Sequence, residues 1–220
     1  MEHSGSAIVV ASSKGGCGKT TLSTCLAVNL AGYGYRVAAV DADRNQALAT
    51  WYKTAGTPPL TCTSCISQDE IVGHIMAQTE THDVVLVDTA GFENQTAIFA
   101  MGAADMVLIP VMPDRNSVLE ARKTARQLTS VSQIARRPIA YRCLLSRWNP
   151  RGLAERAALE DLEAMELQTL KQHLPELSAF KKATFGGESP HSGAIGLKVD
   201  RIIEELKGLG AIAKPREHAA

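Results

Sequence analysis

Short apolar runs alternate with longer amphipathic ones along this chain. Ala7–Ala11 (AIVVA), Arg36–Val40 (RVAAV), Asp83–Val87 (DVVLV), Met106–Val111 (MVLIPV) and Ile139–Leu145 have the length and composition of strands. Leu60–Cys62 is a weaker strand candidate, following a turn over Gly56-Thr57-Pro58-Pro59. Helical periodicity predicts helices over Thr21–Gly32, Gln46–Thr54, Ser67–Thr79, Ser117 to Thr129, Arg151–His173 and Val199–Leu209. Ser117 and Glu120 have the spacing of a capping box. Near-continuous Val/Ile/Leu strands bounded by helices are parallel strands buried on both faces. The expected fold is α/β, with three layers and a mostly parallel twisted sheet flanked by helices. No linker or repeat interrupts the pattern, so residues 1–213 are expected to form one domain and 214–220 a solvated tail.

Composition narrows the classes. The chain has 220 residues, 45% hydrophobic and 21% charged, enough to bury a core and too apolar for disorder. Lys+Arg and Asp+Glu are both 23, so net charge points to no partner. The start, MEHSGSAIVV, lacks the basic flank and apolar run of a signal peptide. No apolar run approaches the roughly 18 residues of a membrane span. Five scattered cysteines argue against a disulfide framework and for a reducing cytosol. Cys62-Thr63-Ser64-Cys65 has CxxC spacing, but no second pair exists to complete a zinc site, so buried thiols are expected. The helix over Val199–Leu209 is amphipathic, with mixed charge on its polar side, and is expected to pack into the core.

The chemistry concentrates in Ser13-Lys14-Gly15-Gly16-Cys17-Gly18-Lys19-Thr20-Thr21, between a strand and a helix. Glycines let successive backbone N–H groups turn inward on a phosphate, and the helix N-terminus adds partial positive charge. In such a loop Lys19 reaches the β- and γ-phosphates and the Thr20 hydroxyl reaches Mg²⁺. Asp41, Asp43 and Asp88 follow strands, where parallel sheets place ligand-binding carboxylates. The alternative for each is a helix cap.

The form Lys-Gly-Gly-x-Gly-Lys-Thr, followed by VDADRNQAL and VLVDTAG, resembles the ParA/MinD family of deviant Walker A P-loop ATPases. The resemblance implies an α/β P-loop fold, ATP and Mg²⁺ as cofactors, and slow, partner-stimulated hydrolysis. It implies that Gly15, Gly16, Cys17, Gly18, Lys19, Thr20 and Thr21 cradle the phosphates. Thr20, Asp41 and Asp88 would sit around the metal, Asp43 would position the attacking water, and Gly91 would sense the γ-phosphate. Lys14 would act on the nucleotide of a second copy in an ATP-bound homodimer. Ser146 and Arg147 fall where the family often has Asn-Arg at the adenine, and Arg44-Asn45 replaces its usual Pro-Gln, so base selectivity and hydrolysis rate stay open. The resemblance further implies non-specific DNA binding, a ParB-like centromere-binding or adaptor partner, and a cytoplasmic, nucleoid-associated location. The cargo could be a plasmid, a conjugative transfer complex or a protein cluster. Rival readings are a MinD-like membrane-positioning ATPase, a metallocluster ATPase and a biosynthetic ligase; the mixed charge of Val199–Leu209 argues against a membrane partner.

Charge distribution adds one feature. Met1–Asp114 holds 5 basic and 11 acidic residues, whereas Arg115–Arg156 holds 10 basic and 2 acidic. Arg115, Arg122, Lys123 and Arg126 are the candidate DNA contacts, with Arg122 and Arg126 one helical turn apart. Such a surface tracks phosphates without reading bases.

Overall fold

The computed structural model describes residues 5–55, 59–91, 95–176 and 193–215, without the side chain of residue 194. The turn expected at Gly56-Thr57-Pro58-Pro59 and the tail expected from Lys214 lie largely outside these residues. The strands are β1 (Ser6–Val10), β2 (Val37–Ala42), β3 (Thr61–Ser64), β4 (Val84–Thr89), β5 (Met106–Val111), β6 (Ala140–Ser146) and β7 (Thr169–Leu174). The helices are α1 (Lys19–Gly32), α2 (Ala47–Thr54), α3 (Ile71–Thr81), α4 (Gln95–Ala103), α5 (Arg115–Ala135), α6 (Leu153–Ala164) and α7 (Gly193–Gly208). The seven strands form one sheet in the order β3-β2-β4-β1-β5-β6-β7, and every pairing is parallel. This is the expected three-layer α/β fold.

Alternation along β1 divides its side chains between two cores. Ala7 and Val9 face one layer, with Ile71 and Ile75 of α3, Met101 of α4, Leu128 of α5 and Leu162 of α6. Ile8 and Val10 face the other, with Leu22 and Leu26 of α1, Leu48 and Trp51 of α2, and Val199, Ile202, Ile203 and Leu206 of α7. Those four α7 side chains are fully buried, so the apolar stripe of the last helix is core, as its charge pattern predicts. Among the described residues no helix is long and apolar enough to cross a membrane.

The structure departs from the sequence reading in three places. The long helix expected over Arg151–His173 is instead α6, a turn and β7. Glu166 takes the left-handed conformation (φ 57°) that glycine usually supplies at a helix end, so no glycine signals the stop. Leu170 and Leu174 are buried in β7, and Glu205 of α7 accepts the N–H groups of Lys171 and Gln172 at 2.7 and 2.9 Å. Second, the helix expected from Ser117 starts at Arg115, capped by Asp114, whose carboxylate accepts the Ser117 N–H at 2.9 Å, and runs to Ala135. The Ser117 hydroxyl instead accepts the Met112 N–H, and Glu120 turns to Ser13 and Lys123, so the capping box is not formed. Third, α4 was not anticipated: its apolar residues show no clear helical stripe in the sequence.

Candidate functional site: a glycine loop over the strand ends

The loop between β1 and α1 crosses the C-terminal ends of the central strands. Gly16 and Gly18 adopt left-handed conformations, φ 72° and 96°, which let the chain turn back into α1. Gly18 stands at the N-cap of α1 and offers no side chain to its first N–H groups. That leaves a helix N-terminus suited to an anion. Gly15 and Gly16 are exposed, Thr20 and Thr21 half-buried, and Lys19 is buried with its ammonium donating to the Lys14 carbonyl at 3.1 Å. Cys17 is buried inside the loop and its thiol reaches the same carbonyl at 3.2 Å. Gly91, after β4, lies against the loop: a Cβ there would sit 3.5 Å from both the Gly15 nitrogen and the Ser13 carbonyl oxygen.

Beneath the loop, register places Asp41 of β2 directly beside Asp88 of β4. Both are fully buried. Asp41 is occupied on both oxygens, accepting the Asp43 N–H at 3.0 Å and the Ala49 N–H at 2.9 Å, and so steadies the start of α2. Asp88 accepts the Ser23 hydroxyl at 3.1 Å on Oδ1, while Oδ2 makes no hydrogen bond of normal geometry among the described residues. Burial, reinforced by the neighbouring Asp41 charge, pushes the Asp88 carboxyl up to about 7 against the pull of the Thr20 and Ser23 hydroxyls and Lys19. Burial also raises Asp41, against the pull of its backbone donors. A buried carboxylate with a free oxygen beside the Thr20 hydroxyl is a donor set suited to a hard divalent cation. Asp43 is half-buried, accepts the Asn45 N–H at 2.9 Å, and with Arg44, Gly91 and Gln95 lines an open cleft of about 700 Å³.

Lys14 points away from these carboxylates. Its ammonium lies 2.7 Å from each oxygen of Asp114 at the start of α5. Burial raises the Asp114 carboxyl, but Lys14 and the Ser117 N–H outweigh it and hold the group below its ordinary range. Neither Asp114 nor Ser23 was singled out by sequence. Asp114 follows the apolar run of β5 as Asp88 closes that of β4, and Ser23 lies one helical turn beyond Lys19; both were legible signals. Ser146 is buried and its hydroxyl donates to the Cys17 carbonyl at 3.0 Å, so it braces the loop, while Arg147 is exposed with φ 52°.

The basic segment is less uniform than its count suggests. Arg115 and Arg126 are exposed and Arg122 is half-buried on α5, but Lys123 pairs with Glu120 at 2.6 Å. Arg137 donates to the Gly102 and Ala104 carbonyls, and Arg142 to the Tyr141 carbonyl and Gln168. Those two arginines hold structure together. Cys62 is half-buried and Cys65 buried, both free thiols, and burial raises the Cys62 thiol to about 11. Among the described residues no group of three or more His, Cys, Asp or Glu is placed to hold a metal ion.

Residues 8–190 match the CobQ/CobB/MinD/ParA nucleotide binding domain family. The chain is 31% identical over 144 residues to Protein ParA of Rhizobium radiobacter, covering 65% of each chain. It is 26% identical over 207 residues to Maintenance of carboxysome distribution protein A of Halothiobacillus neapolitanus, covering 90% of this chain and 95% of that one. An ATP complex of a variant of the corresponding Cyanothece protein superposes with a TM-score of 0.79 at 16% identity, over 97% of this chain and 99% of that one.

Proposed function

This chain belongs to the CobQ/CobB/MinD/ParA nucleotide-binding family, and from that premise we propose that it is an ATPase of the ParA type. It binds ATP with Mg²⁺, dimerises on ATP, binds DNA without sequence preference, and hydrolyses slowly until a ParB-like or adaptor protein stimulates it. In the cell it would be cytoplasmic and nucleoid-associated when ATP-bound, distributing or partitioning a cargo. One observation carries the reading: a glycine loop bearing two lysines lies over a buried aspartate, Asp88, one of whose oxygens makes no hydrogen bond of normal geometry among the described residues. The similarity to a ParA and to a carboxysome-distribution protein supports the positioning role.

The residues divide the work. Loop N–H groups and Lys19 hold the phosphates, and Gly91, which packs on the loop, registers the γ-phosphate. Thr20 and Asp88 would hold Mg²⁺, steadied by Asp41; the ion would supply charge neutralisation at the phosphates. Asp43, at the cleft, accepts a hydrogen bond from the attacking water and orients it. Lys14 leaves Asp114 and delivers its charge to the nucleotide of the facing copy, as an arginine finger does. Ser146 fixes the loop through Cys17. The exposed Arg115 and Arg126 and the half-buried Arg122 of α5 meet DNA phosphates.

The test is size-exclusion chromatography with ATP and Mg²⁺. Asp43→Ala should accumulate as an ATP-bound dimer, because cleavage slows while phosphate and dimer contacts remain. Asp43→Ala that stays monomeric, with ATP bound, would refute the dimer mechanism.

A further inference from the structure

Glu120 stands between the phosphate loop and the basic side of α5. Its side chain is only 11% exposed, yet it is a carboxylate with two separate clients. Oε2 accepts the hydroxyl of Ser13, at the start of the loop, at 2.5 Å. Oε1 accepts the ammonium of Lys123, whose side chain is 62% exposed, at 2.6 Å. Its backbone carbonyl is also fixed, by the Thr124 hydroxyl at 3.0 Å. Lys123 and then Ser13 hold the carboxyl below its ordinary range. A nearly buried carboxylate keeps its charge only while such partners stay.

We propose that Glu120 is a positioning residue serving two sites at once, bracing the phosphate loop through Ser13 while holding Lys123 back from nucleic-acid phosphate. The inference rests on the DNA reading of α5 and specifies how that surface is restrained. Lys123 has one strong counter-ion inside the protein, so a DNA phosphate must compete with Glu120 for it. The Ser13 bond lies on the other oxygen of the same carboxylate, so what displaces one client alters the hold on the other. By linkage, a change in DNA affinity caused this way returns as a change in nucleotide affinity.

Two variants separate the arms. Glu120→Gln keeps an acceptor for Ser13 but removes the charge that holds Lys123. Glu120→Ala removes both. At saturating ATP and Mg²⁺, Glu120→Gln should bind a short duplex about three- to tenfold more tightly at low salt, the release of one restrained cation per copy. Its log–log salt slope should steepen by about one for each copy on the duplex, the mark of one added phosphate contact per copy. Adding Lys123→Ala to Glu120→Gln should return the slope to the wild-type value. ATP titration without DNA should find Glu120→Gln near wild type and Glu120→Ala weaker by about three- to tenfold, since only the alanine loses the Ser13 bond. An unchanged slope in Glu120→Gln overturns the hold on Lys123, and wild-type ATP affinity in Glu120→Ala overturns the brace. If the wild type binds no duplex with ATP, ADP or no nucleotide, the DNA reading itself falls, and the coupling with it.

Discussion

Two pairs of carboxylates flank the same loop and behave in opposite ways. Asp41 and Asp88 lie beneath it on neighbouring strands, and burial raises both. Asp114 and Glu120 lie beside it on α5, and lysines of this chain hold both below their ordinary range. The α5 pair has its cations already: Lys14 and Lys123. The strand pair has one member saturated by backbone N–H groups and one, Asp88, with an oxygen left over. The lesson is that equal charge at equal closeness to a loop does not mean equal role. On the proposed ParA-type reading, the pair pushed up by burial would serve a divalent cation brought with the nucleotide, and the pair pulled down by lysines would store the cations that dimerisation and DNA draw on.

The largest effect should come from removing the cation that serves the loop itself. Lys19→Ala should weaken ATP binding by more than about 1000-fold by calorimetric titration, because on the proposed reading its ammonium, buried in the loop, meets the phosphates. Wild-type affinity would remove the loop from the site.

Asp88→Asn should break the contrast on the strand side. A carboxyl with a folded pKa of about 7, against an ordinary 3.8, contributes stability below the lower value that is lost as pH rises through the higher. The nucleotide-free protein should therefore lose roughly 2–4 kcal/mol between acid and mildly alkaline pH from this group. Urea unfolding at pH 5 and 8 should show a smaller difference in Asp88→Asn. Mg²⁺ should also cease to strengthen nucleotide binding in that variant. A pH dependence identical to wild type would mean that Asp88 is ionised in the fold like any surface carboxylate.

Asp41→Asn should cost about 1–2 kcal/mol of stability, since one of two backbone acceptors at the start of α2 is lost. It should also move the Asp88 titration, followed by the same unfolding series, to lower pH, because a like charge beside it is gone. No movement would uncouple the two carboxylates.

The smallest effect belongs to the α5 side. Asn caps helices as well as Asp does, so Asp114→Asn should keep α5 while freeing Lys14. For a half-exposed pair, ATP-dependent dimerisation measured by sedimentation should tighten by about two- to fivefold. A weaker dimer would show that Asp114 directs Lys14 toward the partner.

How much of this could be read in the sequence depended on how local its causes were. β5 occupies the expected residues because a continuous apolar run has one stable use in a doubly covered sheet. The phosphate loop was equally legible: glycines, lysines and threonine act through backbone geometry within a few residues. β7 was hidden because its helix stop is a glutamate forced left-handed, and because Leu170 and Leu174 become strand residues only against β6 and α7. Sequence placed Asp41 and Asp88 alike at strand ends. Only their surroundings, two backbone donors for one and an unpaired oxygen for the other, set them apart. Likewise the count of basic residues did not tell that Arg137 and Arg142 brace carbonyls, or that Lys14 and Lys123 meet acids on α5. The sequence by itself determined the first six strands, the helices between them other than α4, and the glycine–lysine loop after β1, because short-range periodicity and backbone conformation suffice for these. The tertiary structure alone decided which charges are spent and which are free, because a side chain's partner at a sheet edge or across a helix lies far away in the chain, and burial there decides the cost of leaving it alone.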